Sequence, residues 1–385
     1  MIPYGRQSID QADIDAVVAV LQSDFLTQGP QVPRFEETVA DYCGAKHAVA
    51  VNSATSALHI ACLALGLNQG DMLWTSPNSF VASANCGLYC GAQIDFVDID
   101  LSTGNICPKA LAEKLEAAAK NDSLPKVLVV VHFAGQPCDM EAIHTLCSPL
   151  GIKIIEDASH AIGSRYRDAV TGSCRFSDIT VFSFHPVKVI TSAEGGMAVT
   201  NNDSYAKQMR LYRSHGITRA PEDLKLKQAP AWHYEQQMLG FNYRMTDIQA
   251  ALGNSQMRHL DNWIAQRNQL AKNYQEKLQA LGLNYLQVAA DTLSAYHLFM
   301  LVLPENKASE HRSIFEELKS RGIGVNLHYT PIHLQPYYQE MGFQSGDFPI
   351  AEAYASRAIT LPLYPELTEQ QQDYVIDTLA DIMGQ

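Results

Sequence analysis

Three places in this 385-residue chain set reactive groups where they could do chemistry rather than fill a core. Lys188 follows the apolar, β-branched run Asp178 to Phe184, which Pro186 stops, and it precedes the flexible Glu194-Gly195-Gly196 turn. A lysine held in a cleft past a strand end loses water. More of it is then the neutral amine, which can attack a carbonyl and form a Schiff base. Asp157, in Glu156-Asp157-Ala158-Ser159-His160, ends the preceding apolar run, and a carboxylate buried there needs a positive partner. Asn52-Ser53-Ala54-Thr55-Ser56 places small hydroxyl residues where a strand turns into a helix. Free N–H groups, hydroxyls and the positive end of the helix dipole converge at such a turn, which suits a phosphate. The turn lacks the glycines of a P-loop or a dinucleotide fingerprint, so a nucleoside triphosphate or NAD is not indicated. Singly, each feature has an ordinary counterpart in a loop lysine, an N-cap or a paired carboxylate.

The elements that must position these groups alternate along the chain. Residues 10–22 read as an amphipathic helix, Val32 to Tyr42 as a second helix ending near Gly44, and Lys46 to Val51 as a strand. Strands at Met72 to Thr75, Ala92 to Val97, Lys126 to His132 and Ile152 to Ile155 alternate with helices from about Val81, at Pro108 to Lys120 and at Asp139 to Leu150. Unbroken apolar strands between helices predict a parallel sheet covered on both faces. Such sheets carry their sites beyond the strands' carboxyl ends, where Lys188, Asp157 and the turn at residue 55 would all lie. Further along, Tyr205 to Arg213 is helical and Pro221 to Ala231 is a polar loop. Thr246 to Leu281 is helical with a break near Asp261-Asn262, Ala295 to Leu303 and Ile323 to Leu327 are strands, and residues 308–321 and 366–382 are helices. The expected division is a large α/β domain over 10–250 and a smaller α/β domain over 251–385, with residues 1–25 packing on the latter or on the substrate site.

Taken together, the three features assemble a site for pyridoxal 5′-phosphate. Lys188 would hold the cofactor's carbonyl carbon, Asp157 would keep the pyridine nitrogen protonated, and Ala54, Thr55 and Ser183 would take the phosphate. Phe80, just past a strand, could stack on the ring. The runs LTQGP (26–30), NSATSALH (52–59), EDASHAIG (156–163), FSFHPVK with TSAEGG (182–196) and GFNYRMTDIQAALG (240–253) resemble the DegT/DnrJ/EryC1/StrS family of sugar aminotransferases over nearly the whole chain. That resemblance implies the type I fold of PLP enzymes, similar to aspartate aminotransferase, and a homodimer with its sites at the subunit interface. It implies that Lys188, Asp157 and His160 are catalytic, and that Asn242 reaches the phosphate from the neighbouring subunit. The family's sugar dehydratases carry histidine where Lys188 stands, so transamination is implied.

LYRSHG (211–216) and HYTPIHLQPYY (328–338) resemble the branch of the family that acts in pseudaminic acid synthesis. There L-glutamate is the amino donor and C4 of a UDP-linked 4-keto-6-deoxy-N-acetylhexosamine is the acceptor. The implied substrate-facing residues are Tyr4, Asp24, Phe25, Leu26, Thr27, His328 and Tyr329. Two alternatives stay open: another nucleotide-linked keto sugar, or a PLP-binding regulator without turnover. The presence of Lys188, Asp157 and His160 counts against the second.

Composition narrows the rest. The formal charge is -13 and 46% of residues are hydrophobic, with no basic block, which argues against nucleic acid and anionic membrane as partners. No signal peptide or membrane-length apolar run is evident, so a cytoplasmic protein is expected. The eight cysteines are scattered with no CxxC pair and read as reduced core residues. None of the 13 histidines forms HExxH, and the His328/His333 pair straddles a proline, so no metal site is expected.

Overall fold

The computed structural model describes residues 1–384. Its centre is a seven-stranded sheet formed by β1 (His47–Val51), β2 (Met72–Thr75), β3 (Gln93–Phe96), β4 (Val127–Val131), β5 (Lys153–Asp157), β6 (Ile179–Ser183) and β7 (Gly196–Thr200). The strands lie in the order β1-β7-β6-β5-β4-β2-β3. All pairings among β2 to β6 are parallel, whereas β7 runs antiparallel to both β1 and β6. The periodicity predicts no strand at Gly196–Thr200. The run is short, opens on glycine and follows a turn motif, and only its pairing with two neighbours makes it a strand.

The sequence of β4, VLVVV, is buried throughout, as a strand covered on both faces must be. Val127 and Val129 join one core and Leu128 and Val130 another, as side chains alternate across the sheet. Helices α1 (Gln11–Leu21), α2 (Gln31–Cys43), α3 (Ala54–Ala64), α4 (Ala82–Tyr89), α5 (Pro108–Lys120), α6 (Met140–Cys147) and α7 (Asp203–Arg213) follow in chain order, then α8 (Asp247–Met257) and α9 (Leu260–Ala280). Thr246 and Gln249 form a capping box at α8. The helical stretch 246–281 breaks at Arg258-His259 rather than at Asp261-Asn262. Asp261 instead sits in the first turn of α9, where a carboxylate suits the dipole, and accepts a bond from Tyr42 Oη at 2.6 Å.

A second, three-stranded antiparallel sheet joins β8 (Asn284–Tyr285), β9 (Phe299–Val302) and β10 (Ala358–Leu361). It packs with α10 (His311–Ser320), the last helix (Glu369–Met383) and the second half of α9. The expected strand at 323–327 makes only isolated bridges, Ile2 with Ile323 and Asn326 with Thr360. The expected strand 295–303 shortens to β9 because residues 295–298 bond to the loop after β4 instead of a strand. α9 spans both halves: Leu260, Trp263 and Ile264 lie in one core, and Leu270, Ala271, Tyr274 and Leu278 in the other. All eight cysteines are unpaired. No helix among the described residues is long and apolar enough to cross a membrane.

Candidate active site

The carboxyl ends of β1, β2, β4, β5 and β6 open into a cleft of about 780 Å³. At its floor, β6 delivers Ser183, and the turn after it brings Lys188 onto the wall. Lys188 is half-buried, and the protein packed around its amine removes enough water to pull the pKa down to about 8, against a smaller opposing pull from Asp157. Asp157, at the end of β5, is 5% exposed. Its Oδ2 accepts from Ser83 Oγ at 2.6 Å, and its Oδ1 accepts from Ser159 Oγ at 2.5 Å and Ser159 N at 3.2 Å. None of these partners is a cation, so the carboxyl group is fixed in place by neutral donors alone.

The turn after β1 builds the opposite wall. Ser53 caps α3 by accepting from Ser56 N at 3.1 Å, while Ala54 and Thr55, whose first-turn N–H groups have no acceptor within the helix, line the cleft. Gly196 of β7 lies against this turn. A Cβ there would sit 2.4 Å from the Ser53 carbonyl and 2.5 Å from Ala54 N, so only glycine lets backbone meet backbone.

Aromatic and imidazole groups close the rest. His160 Nε2 is 3.1 Å from Tyr329 Oη, and its ring lies 4.5 Å from that of His297. Burial, then the positive charge of Lys188, holds His160, His297 and His328 below the ordinary histidine range, His328 down to about 3. Burial raises the Tyr329 hydroxyl. These groups therefore face the cleft uncharged near neutral pH. His328 Nδ1 is 2.7 Å from Thr360 Oγ1, and its ring packs 5.5 Å from Tyr4. Phe80, 58% exposed, lies at the mouth with its ring 6.5 Å from Tyr329.

Of the residues predicted from sequence, Tyr4, Ala54, Thr55, Phe80, Asp157, His160, Ser183, Lys188, His328 and Tyr329 line this cleft. Asn242 and Asp24 to Thr27 do not; all five are exposed. Leu26 O accepts from Asp247 N at 3.0 Å, and Thr27 bridges Thr246. Sequence reasoning missed His297, Ser83 and Gln249. A polar residue at the head of the apolar run AYHLFMLVL was a signal for His297. The Ser79/Ser83 spacing, one helical turn apart, was a weaker one for Ser83.

The profile of the DegT/DnrJ/EryC1/StrS aminotransferase family matches residues 7–380. The chain belongs to this family. It is 39% identical over 99% of its length to the spore coat polysaccharide biosynthesis protein SpsC of Bacillus subtilis, covering 97% of that protein. It is 36% identical over its full length to the UDP-4-amino-4,6-dideoxy-N-acetyl-β-L-altrosamine transaminase of Campylobacter jejuni, covering 98%. Among solved structures, PseC of Helicobacter pylori, an aminotransferase of pseudaminic acid biosynthesis, superposes with a TM-score of 0.90 at 32% identity, covering 99% of this chain and 98% of PseC. The chain is a PLP-dependent sugar aminotransferase with the type I α/β fold. The residues present fit the cofactor: a half-buried amine near pKa 8, a buried carboxylate that meets only hydroxyl and amide donors, and a backbone cradle against Gly196 that a single Cβ would fill.

Proposed function

We propose that this aminotransferase moves the amino group of L-glutamate to C4 of a UDP-linked 4-keto-6-deoxy-N-acetylhexosamine, giving UDP-4-amino-4,6-dideoxy-N-acetyl-β-L-altrosamine for pseudaminic acid synthesis. The observation that carries this reading is the end-to-end likeness to the Campylobacter transaminase of that name, and Tyr4, His328 and Tyr329 at the cleft support it.

When bound, PLP supplies a carbonyl that captures the amine and a ring that accepts the electron pair freed at the donor's α-carbon. The chain supplies the rest. Lys188 would hold the cofactor carbon, and its free amine would be the base that lifts the α-proton and the acid that returns one at the sugar's C4. Asp157, held by Ser83 and Ser159, would take the ring nitrogen and keep its proton there. The first turn of α3 and Ser183 would bind the phosphate. His160, His297 and Tyr329, all uncharged, neither take the proton from Lys188 nor add charge beside it. Phe80, at the mouth, would stack on the cofactor ring.

In this reading the chain works in the cytoplasm as a homodimer. Asn242, exposed and outside the cleft of its own chain, serves the partner's phosphate, and Asp24 to Thr27 meet the nucleotide sugar in the same way. A second reading, another nucleotide-linked keto sugar, is favoured by the likeness to SpsC. A panel of UDP-, dTDP- and GDP-linked 4-keto sugars, with 2-oxoglutarate release from L-glutamate as readout, separates the two. Turnover with the UDP-linked L-configured ketone is expected, and turnover only with another sugar would replace this substrate while keeping the chemistry.

A further inference from the structure

Arg267, midway along α9, is 1% exposed and has no carboxylate partner among the described residues. Its Nη1 donates to three backbone carbonyls instead, those of Tyr296 at 3.2 Å, His297 at 3.4 Å and Leu363 at 3.0 Å, while Nε has no acceptor. A buried cation satisfied only by carbonyls costs more than an apolar residue of the same volume would. It is therefore expected where its charge or its donors are needed.

The segment it grips carries a cleft residue. Tyr296 has φ +43°, a left-handed backbone that a tyrosine adopts only when its surroundings hold it there. The same segment is pinned from α9 by Asn268 Nδ2 donating to Ser294 O at 2.9 Å. On its other side lies the loop after β4, through Ala295 N to Gly135 O at 2.9 Å. Gly135 is so close that a Cβ would sit 2.9 Å from the backbone nitrogens of Tyr296 and His297 and from the His160 carbonyl. His297, next in the chain, is 4% exposed, lines the cleft and leaves its Nδ1 unpartnered.

We propose that Arg267 is a positioning residue for the transamination site, fixing the Tyr296-His297 backbone through its donors and setting a positive charge behind the His297 imidazole. Burial is the largest influence that keeps this imidazole neutral, and the charged and titratable groups that face it are, in falling order, Lys188, His160, Arg267 and His328. At neutral pH the charges that oppose its protonation are those of Lys188 and Arg267, and Arg267, whose pKa burial lowers to about 10, keeps its charge there. A neutral His297 leaves the proton on Lys188 uncontested. The inference rests on this cleft being the site of the reaction.

Two substitutions separate the donors from the charge. Arg267→Gln keeps amide donors and removes the charge; Arg267→Lys keeps the charge and loses the planar fork. The first readout is the imidazole NMR titration of His297 in the cofactor-free protein, assigned with His297→Asn, which reads the charge whether or not the sugar substrate is known. In Arg267→Gln the midpoint should rise, and the acidic limb of kcat/KM in the PLP-loaded enzyme should move up with it. In Arg267→Lys the midpoint should stay in place while kcat falls about tenfold through loss of geometry. An unmoved midpoint in folded Arg267→Gln, or wild-type kcat in Arg267→Lys, would overturn the proposal. If Arg267→Gln does not fold, the Lys variant still decides.

Discussion

Burial serves Lys188 and Asp157 in different ways. Desolvation brings the Lys188 pKa to about 8, so about 9% of it is the free amine at pH 7, against about 0.04% for an ordinary lysine. Its rate of reaction with an aldehyde probe in the cofactor-free protein should rise about tenfold from pH 7 to 9 and level off. An unperturbed lysine would gain about a hundredfold with no plateau. For Asp157 the buried hydroxyls and amide fix where its carboxyl group points. Removing one of them, in Ser83→Ala, should lower kcat by about tenfold or more while leaving the bound cofactor's absorbance visible; steady-state kinetics beside a spectrum checks both. The residues proposed to do the chemistry, which line one cleft, were legible in the sequence because strand ends expose them in order. Those that hold them were not, since Ser83 arrives from a helix and His297 from the far half of the chain, and neither stands beside its partner in sequence.

At the scale of elements, the proposed phosphate cradle depends on how closely β7 approaches the start of α3. Gly196→Ala would drive a methyl group into the Ser53 carbonyl and Ala54 N, and neither is a side chain that can swing away. The first turn of α3 must shift, so PLP affinity should fall about tenfold or more, measured by titrating the cofactor-free variant. The same strand marks where pattern reading stops. β4 announces itself as VLVVV, because burial on both faces demands an unbroken apolar run. Gly196–Thr200 becomes a strand only because β1 and β6 leave a gap that an antiparallel chain fills. Residues 295–298 look like the head of a strand, yet they bond to Gly135 and Ala134 across the molecule, a partner that no local pattern reveals.

For the whole molecule, the exposed Asn242 and the cleft that lacks it lead to a test by mixing. Lys188→Ala and Asn242→Ala should each be nearly inactive. If each site draws its lysine from one chain and its asparagine from the other, co-refolding equal amounts should restore about a quarter of wild-type activity, because half the dimers are hybrids with one sound site. No recovery, with hybrids demonstrated by mass, would place Asn242 outside the partner's site.

α9 has a consequence of another kind. Since its first half is buried in one core and its second half in the other, the helix is a shaft whose angular phase sets how the two halves face each other across the cleft. A single alanine inserted after Gln266 would turn everything beyond it by about 100° and swing Leu270, Tyr274 and Leu278 off their core. Such an insertion should lower the melting temperature far more than the same alanine placed in the 221–231 loop, as calorimetry would record. Length here is a rotational coordinate, and the helix can be lengthened only in steps that return it to the same angle.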